Sequence, residues 1–121
     1  MPTTSPLFDV LDGITRGVQA SPRAQRLVSG IAMSVQFHPA EKDSDCYLAI
    51  AAGKIATGRG KHPKPSVTVS GAQADLIEIV EGRKDITYML SQGKVRTSGD
   101  YYHGIDLSRI ALAIRQTLAA K

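Results

Sequence analysis

The sequence predicts an α+β fold built on a five-stranded, mostly antiparallel sheet covered by helices, and three features carry that prediction. Amphipathic stretches with helical spacing stand near both ends of the chain. Five short alternating or β-branched runs lie between them, and two further helical stretches fall together before the last of these runs. Helices grouped in this way gather on one side of a sheet, whereas regular strand–helix alternation builds a doubly wound fold. With 121 residues, 42% of them hydrophobic and 21% charged, the chain is expected to fold as one domain spanning 1–121.

Ser5-Pro6 provides a cap and a proline at the first helical position, after which Leu7, Leu11, Ile14 and Val18 share one face. Gly13 and Gly17 weaken this helix. Ser21-Pro22 repeats the start signal and Gly30 offers a stop, so a short second helix follows. From Ile31 the period changes to two, with Met33, Val35 and Phe37 on one side, and Pro39 to Asp45 reads as a turn. Cys46 to Ala52 is apolar at nearly every position, the pattern of a strand covered on both faces. Gly53-Lys54 turns the chain into a third strand through Ile55, Thr57 and Arg59, and the stretch from Gly58 to Pro65 reads as loop.

Ser66 to Ser70 is a fourth strand, rich in β-branched residues. Leu76, Ile77, Ile79 and Val80 then recur at helical spacing up to Gly82, and Asp85 caps another short helix through Leu90. Lys94 to Ser98 is the fifth strand. Leu107, Ile110, Ala111, Ile114 and Leu118 mark a closing helix, with Arg109, Arg115 and Lys121 outward.

Composition excludes several classes. A net charge of +4 favours anionic partners, but aromatics are only 5% and Trp is absent, so the stacking platforms of nucleic-acid binders are missing and no nucleic acid is expected. Cys46 stands alone, which rules out an internal disulfide and points to a reducing, cytoplasmic setting. No window approaches the roughly 20 apolar residues that span a bilayer, and Met1 to Ser5 lacks the basic-then-apolar order of a signal peptide.

The segment from Val67 to Asp100 carries a sharper signal. A strand Val67-Thr68-Val69-Ser70 leads to a helix, then Gly82-Arg83, a second short helix, and Gln92-Gly93-Lys94-Val95 closing on Gly99-Asp100. In order and spacing this resembles the sterol carrier protein type 2 family, and the hairpin from Cys46 through Gly53-Lys54 resembles that family's central strands. The resemblance implies a hydrophobic tunnel between sheet and helices that accepts fatty acids, acyl-CoAs, sterols or isoprenoid-like lipids, with no cofactor. It departs from the family at the basic, proline-rich loop Arg59 to Pro65 and at Tyr101-Tyr102-His103-Gly104, where an aliphatic helix start is usual.

On this basis the expected function is non-catalytic binding and transfer of a hydrophobic ligand. Tyr47, Ala49, Ala51, Leu76, Ile79, Val80, Tyr88, Met89, Tyr101, Tyr102 and Ile105 are the expected tunnel-lining residues; Leu76, Ile79, Val80, Tyr88 and Met89 read equally well as ordinary core, and Tyr101 and Tyr102 as aromatics covering a helix start. Arg59, Lys61 and Lys64 are the expected contacts to an anionic headgroup or membrane surface, against the alternative of a solvated loop. Burying ten ligand methylenes is worth about 8 kcal/mol before ordering costs, so micromolar binding needs little polar recognition. A second reading is an accessory protein that presents a hydrophobic intermediate to a partner biosynthetic enzyme. Apolar rims on so small a domain are also compatible with a homodimer.

A third reading turns the tunnel into an active site with Tyr101, His103 and Asp106 as polar actors, although Asp106 reads equally well as the cap of the last helix. His38, His62 and His103 lie in separate segments without paired ligand spacing, so no metal is expected. Gly58-Arg59-Gly60-Lys61 lacks the remaining residues of a phosphate-binding loop, having Ile55 where a glycine belongs and His62 where a Ser or Thr belongs.

Overall fold

The computed structural model describes residues 6–41 and 44–119, so Ser5 and Lys121, read above as a helix cap and an outward cation, lie outside the described residues. The elements run α1 (Pro6–Gln19), α2 (Pro22–Val28), β1 (Met33–Pro39), β2 (Cys46–Ala51), β3 (Lys54–Arg59), β4 (Val67–Gly71), α3 (Gln73–Val80), α4 (Ile86–Ser91), β5 (Val95–Gly99) and α5 (Tyr101–Ala119). The five strands form one sheet in the order β3-β2-β1-β4-β5, antiparallel except for the central β1–β4 pair.

Register sorts the side chains onto two faces. Val35 stands opposite Leu48 on one side and Val67 on the other, so Met33, Val35, Phe37, Cys46, Leu48 and Ile50 share a face with Ile55, Val67, Val69 and Val95. All of these are buried, and the helices pack on them. In α1, Leu7, Leu11 and Val18 are buried as the periodicity predicts, with Thr15 beside them. Ser21 Oγ accepts from the Ala24 N–H and Asp85 Oδ1 from the Thr87 N–H, giving α2 and α4 side-chain caps that satisfy donors the helix leaves unpaired.

The opposite face carries Ser34, Gln36, Tyr47, Ala49, Ala51, Gly58, Thr68 and Ser98, and here the structure corrects one expectation. The second strand is not covered on both sides: Tyr47 and Ala49 are half-buried and Ala51 is exposed. What lies on this face is the connection between β3 and β4. Because β4 runs parallel to β1, the chain leaving β3 must travel back along the sheet, and residues 60–66 form that strap. Gln36 holds it from below, its Nε2 donating to the carbonyls of Gly60 (3.0 Å) and Cys46 (3.1 Å) while its Oε1 accepts from the His62 N–H at 2.7 Å. The Ser34 hydroxyl donates to the Lys64 carbonyl at 3.0 Å, and His62 meets the Tyr47 ring edge-on at 5.1 Å. Pro63 and Pro65 suit a segment that pairs with no strand, since proline has no N–H to give a ladder.

Several boundaries differ, and β4 and β5 each lie one residue later than the sequence pattern places them. Ile31 precedes β1, which instead continues to Pro39, and Gly58 and Arg59 remain in β3. The last helix starts at Tyr101, six residues before the first apolar position that marked it, and its cap is Asp100 rather than Asp106. Asp100 Oδ1 accepts from the Tyr102 and His103 N–H groups, and its carbonyl accepts from Gly104, as an N-cap requires. Asp106 sits inside the helix.

Candidate functional site

The helix layer is held at two points where glycine allows close approach. A side chain at Gly82, whose φ is +74°, would stand 2.8 Å from the Ala111 carbonyl oxygen and 2.9 Å from Leu112 Cα. A Cβ at Gly17 would stand 2.9 Å from the Leu118 Cδ1. The turn after α3 therefore abuts α5 near Ala111, and α1 abuts it near Leu118, seven residues and about 10 Å farther along the axis.

Along this stretch lies a groove of about 470 Å³, within the range typical of small-molecule pockets. Val10, Gly13 and Ile14 of α1 form one wall, Ala111, Ile114 and Leu118 of α5 the other, and Val80 closes the end of α3. The rim is charged, with Asp9, Glu81, Arg83 and Arg115. Arg83 and Glu81 pair with each other at 3.4 Å, whereas Arg115 forms no ion pair among the described residues. The lip carries one cation and one carboxylate, Arg115 and Asp9, that form no ion pair among the described residues, and an amphiphile with an anionic end suits the trough where that end meets Arg115.

Three other groups capable of chemistry, His103, His38 and Cys46, are engaged in the fold. Ser66 Oγ donates to the Ser34 carbonyl at 2.9 Å and lies 2.8 Å from His103 Nδ1, so the imidazole donates to the hydroxyl and ties the start of α5 to β1 and β4. His38 meets Asp45 at 2.8 Å. Cys46 is buried, and burial, reinforced by the Asp45 charge and opposed by Arg59, pushes its thiol up to about 12. A thiol so displaced stays protonated and behaves as a small hydrophobe.

The model of the SCP-2 sterol transfer family matches residues 14–111. The chain belongs to that family. Members bind and transfer lipids or sterols, generally without catalysis. Among solved structures, the ubiquinone synthesis protein UbiJ-SCP2 superposes with a TM-score of 0.73 at 13% identity, covering 96% of this chain and 97% of that one. Palmitated SCP2L2 from Aedes aegypti gives 0.60 at 20% identity, covering 84% and 90%. The stereoselective inverting sec-alkylsulfatase Pisa1 from Pseudomonas sp. gives 0.63 at 22% identity over 71% of this chain, which spans only 14% of that enzyme. No curated protein matches the sequence.

Within this SCP-2 framework the residues expected to line a tunnel fall in three places, and among the described residues they do not line one common cavity. Leu76, Ile79 and Met89 are packed into the buried core, and Val80 alone of the eleven reaches the groove. Tyr47, Ala49 and Ala51 lie on the strap face of the sheet. Tyr88, Tyr101 and Tyr102 are 51%, 48% and 74% exposed, with Ile105 half-buried nearby on α5. Lys61 and Lys64 are exposed on the strap, while the Arg59 guanidinium sits 4.3 Å over the Phe8 ring against α1. Tyr101, His103 and Asp106 do not converge: His103 faces Ser66, and Asp106 lies on the flank of α5 toward Leu27 and Ile31.

The residues that do line the groove were visible as helix-face apolar positions at Ile14, Ala111, Ile114 and Leu118. Their spacing shows which face of each helix turns inward, but not where two such faces stand apart. Arg115 was read only as an outward cation.

Proposed function

We propose that the domain holds the apolar chain of an anionic amphiphile, a fatty acid or an isoprenoid-like lipid, in the groove between α1 and α5, without chemical change, and transfers or presents it. The observation that carries this reading is the pairing of an apolar trough with Arg115 at its rim. Burying six or so methylenes there supplies about 5 kcal/mol, enough to retain a chain but not to select one, so the domain accepts several chain lengths. The palmitate carried by the Aedes aegypti structure is a ligand of this kind. A reducing, cytoplasmic setting suits the single buried thiol of Cys46.

Likeness along nearly the full length to a ubiquinone synthesis protein favours one variant of this reading, in which the ligand is a biosynthetic intermediate presented to a partner enzyme. Native mass spectrometry of freshly purified protein, followed by solvent extraction, tests both. Recovered acyl or isoprenoid chains are expected. A bare mass that fatty acids, sterols and acyl-CoA all leave unshifted would contradict the carrier reading.

A further inference from the structure

The flank of α5 that faces away from the groove packs beside α2 and carries a second surface of different character. Leu27, 37% exposed, stands at its centre and borders two adjoining depressions of about 420 and 380 Å³. Ile31 and Ile110, both half-buried, extend the apolar strip on one side. Around it stand Arg23, Arg26 and Arg109, all exposed, and none is in an ion pair among the described residues. Asp106 is the one carboxylate along this seam, because α2 contains no acidic residue. From Asp106 to Thr117 the seam runs about 16 Å along α5.

A partly exposed leucine ringed by three guanidiniums without ion pairs is complementary to a sheet of phosphates with hydrocarbon just beneath. A protein partner would be expected to meet exposed arginines with a few placed carboxylates and a larger apolar core. We propose that the α2–α5 seam docks on anionic bilayers, with Leu27 entering the interface and Arg23, Arg26 and Arg109 on the headgroups. This rests on the carrier reading for its purpose, since α5 would then separate the membrane from the groove by one helix width. It does not use the strap lysines, where the sequence pattern placed membrane contact.

The test is cosedimentation with phosphatidylglycerol/phosphatidylcholine vesicles and with pure phosphatidylcholine vesicles. Each basic residue at an anionic surface is worth about a fivefold factor in partitioning, so replacing Arg23, Arg26 and Arg109 together by Gln weakens binding about a hundredfold. Binding should also fall steeply with added salt. Leu27→Asp, a single exposed change, should give a comparable loss and serves if the triple variant folds poorly. Lys61→Gln with Lys64→Gln should bind as wild type.

Equal binding to neutral vesicles, an unaffected triple variant, or loss in the strap variant alone overturns the proposal. So does a dimer in sedimentation velocity that Leu27→Asp dissolves while no vesicles bind, which would assign the seam to a second copy. Fatty-acid uptake in vesicle-free buffer reports on the carrier reading separately: its failure with vesicle binding intact removes the carrier and leaves the seam.

Discussion

Replacing glycine by alanine at three places in the helix layer should give three different results, and the structure sets each sign. Gly82 has a φ of +74°, where an L side chain costs about 1–2 kcal/mol. Its new Cβ would also stand 2.8 Å from the Ala111 carbonyl oxygen and 2.9 Å from Leu112 Cα. Both are backbone atoms of α5 and cannot rotate away, so an overpacking cost of about 1–3 kcal/mol adds to the first. Gly82→Ala should therefore lose about 2–5 kcal/mol, a large share of a domain's net stability, lowering Tm by about 10 °C or more.

At Gly13 nothing lies within 4 Å of the added atom and the backbone is ordinary helix. There Gly13→Ala should gain up to about 1 kcal/mol from helix propensity. Gly17→Ala falls between, because the contact it meets is the flexible end of Leu118. Urea and thermal unfolding followed by circular dichroism measure all three. A Gly82→Ala variant as stable as wild type would mean that the turn does not abut α5. A destabilised Gly13→Ala would mean that this position is not on an open wall.

Three further outcomes are expected. Thr15 is 5% exposed and its Oγ1 is the one buried side-chain oxygen or nitrogen without a partner among the described residues; Thr15→Val keeps the shape and should stabilise by about 1 kcal/mol in urea melts, while a loss of stability would reveal a hidden partner. The Asp85 carboxyl is held below its ordinary range by the hydroxyl and the N–H of Thr87. Its contribution is therefore full above the unfolded value and fades as pH falls through the lowered folded one; Asp85→Ala should cost about 1 kcal/mol at neutral pH with the difference closing in acid, and a pH-independent difference would refute the charge's part. Cys46 should resist iodoacetamide in native buffer and react only at the rate of unfolding; rapid labelling of the folded protein would contradict a buried, protonated thiol.

Most of the fold is local and could be read from the chain. Leu7, Leu11 and Val18 declare α1 because one face of one helix meets one core, and Asp85 declares α4 because a cap acts within three residues. The loop from Gly60 was legible, but its path was not, because its cause is remote: only the parallel pairing of β1 with β4 forces residues 60–66 back across the sheet, and nothing in Cys46 to Ala51 shows that one of the strand's faces is only partly covered. The start of α5 hid behind Gly104 and two tyrosines. A Cβ at Gly104 would make only ordinary contacts, 3.6–3.9 Å from side-chain atoms of Thr97, Ile86 and Val67, so space does not demand glycine at this point of the helix. The groove depends on the spacing between two helices that are each correctly legible alone, and the same Ile14 and Ile114 would read identically in a closed layer.

The measurement closest to the central claim is a titration of fluorescent fatty acid into wild type and Gly13→Phe. The substitution adds no clash at its Cβ and places a ring on the groove wall, so the fold should remain at least as stable. A ring occupying the space of about four methylenes removes about 3 kcal/mol of burial, which predicts saturable binding by wild type and about a hundredfold weaker binding by the variant. Unchanged affinity in a folded Gly13→Phe would place the ligand somewhere other than between α1 and α5.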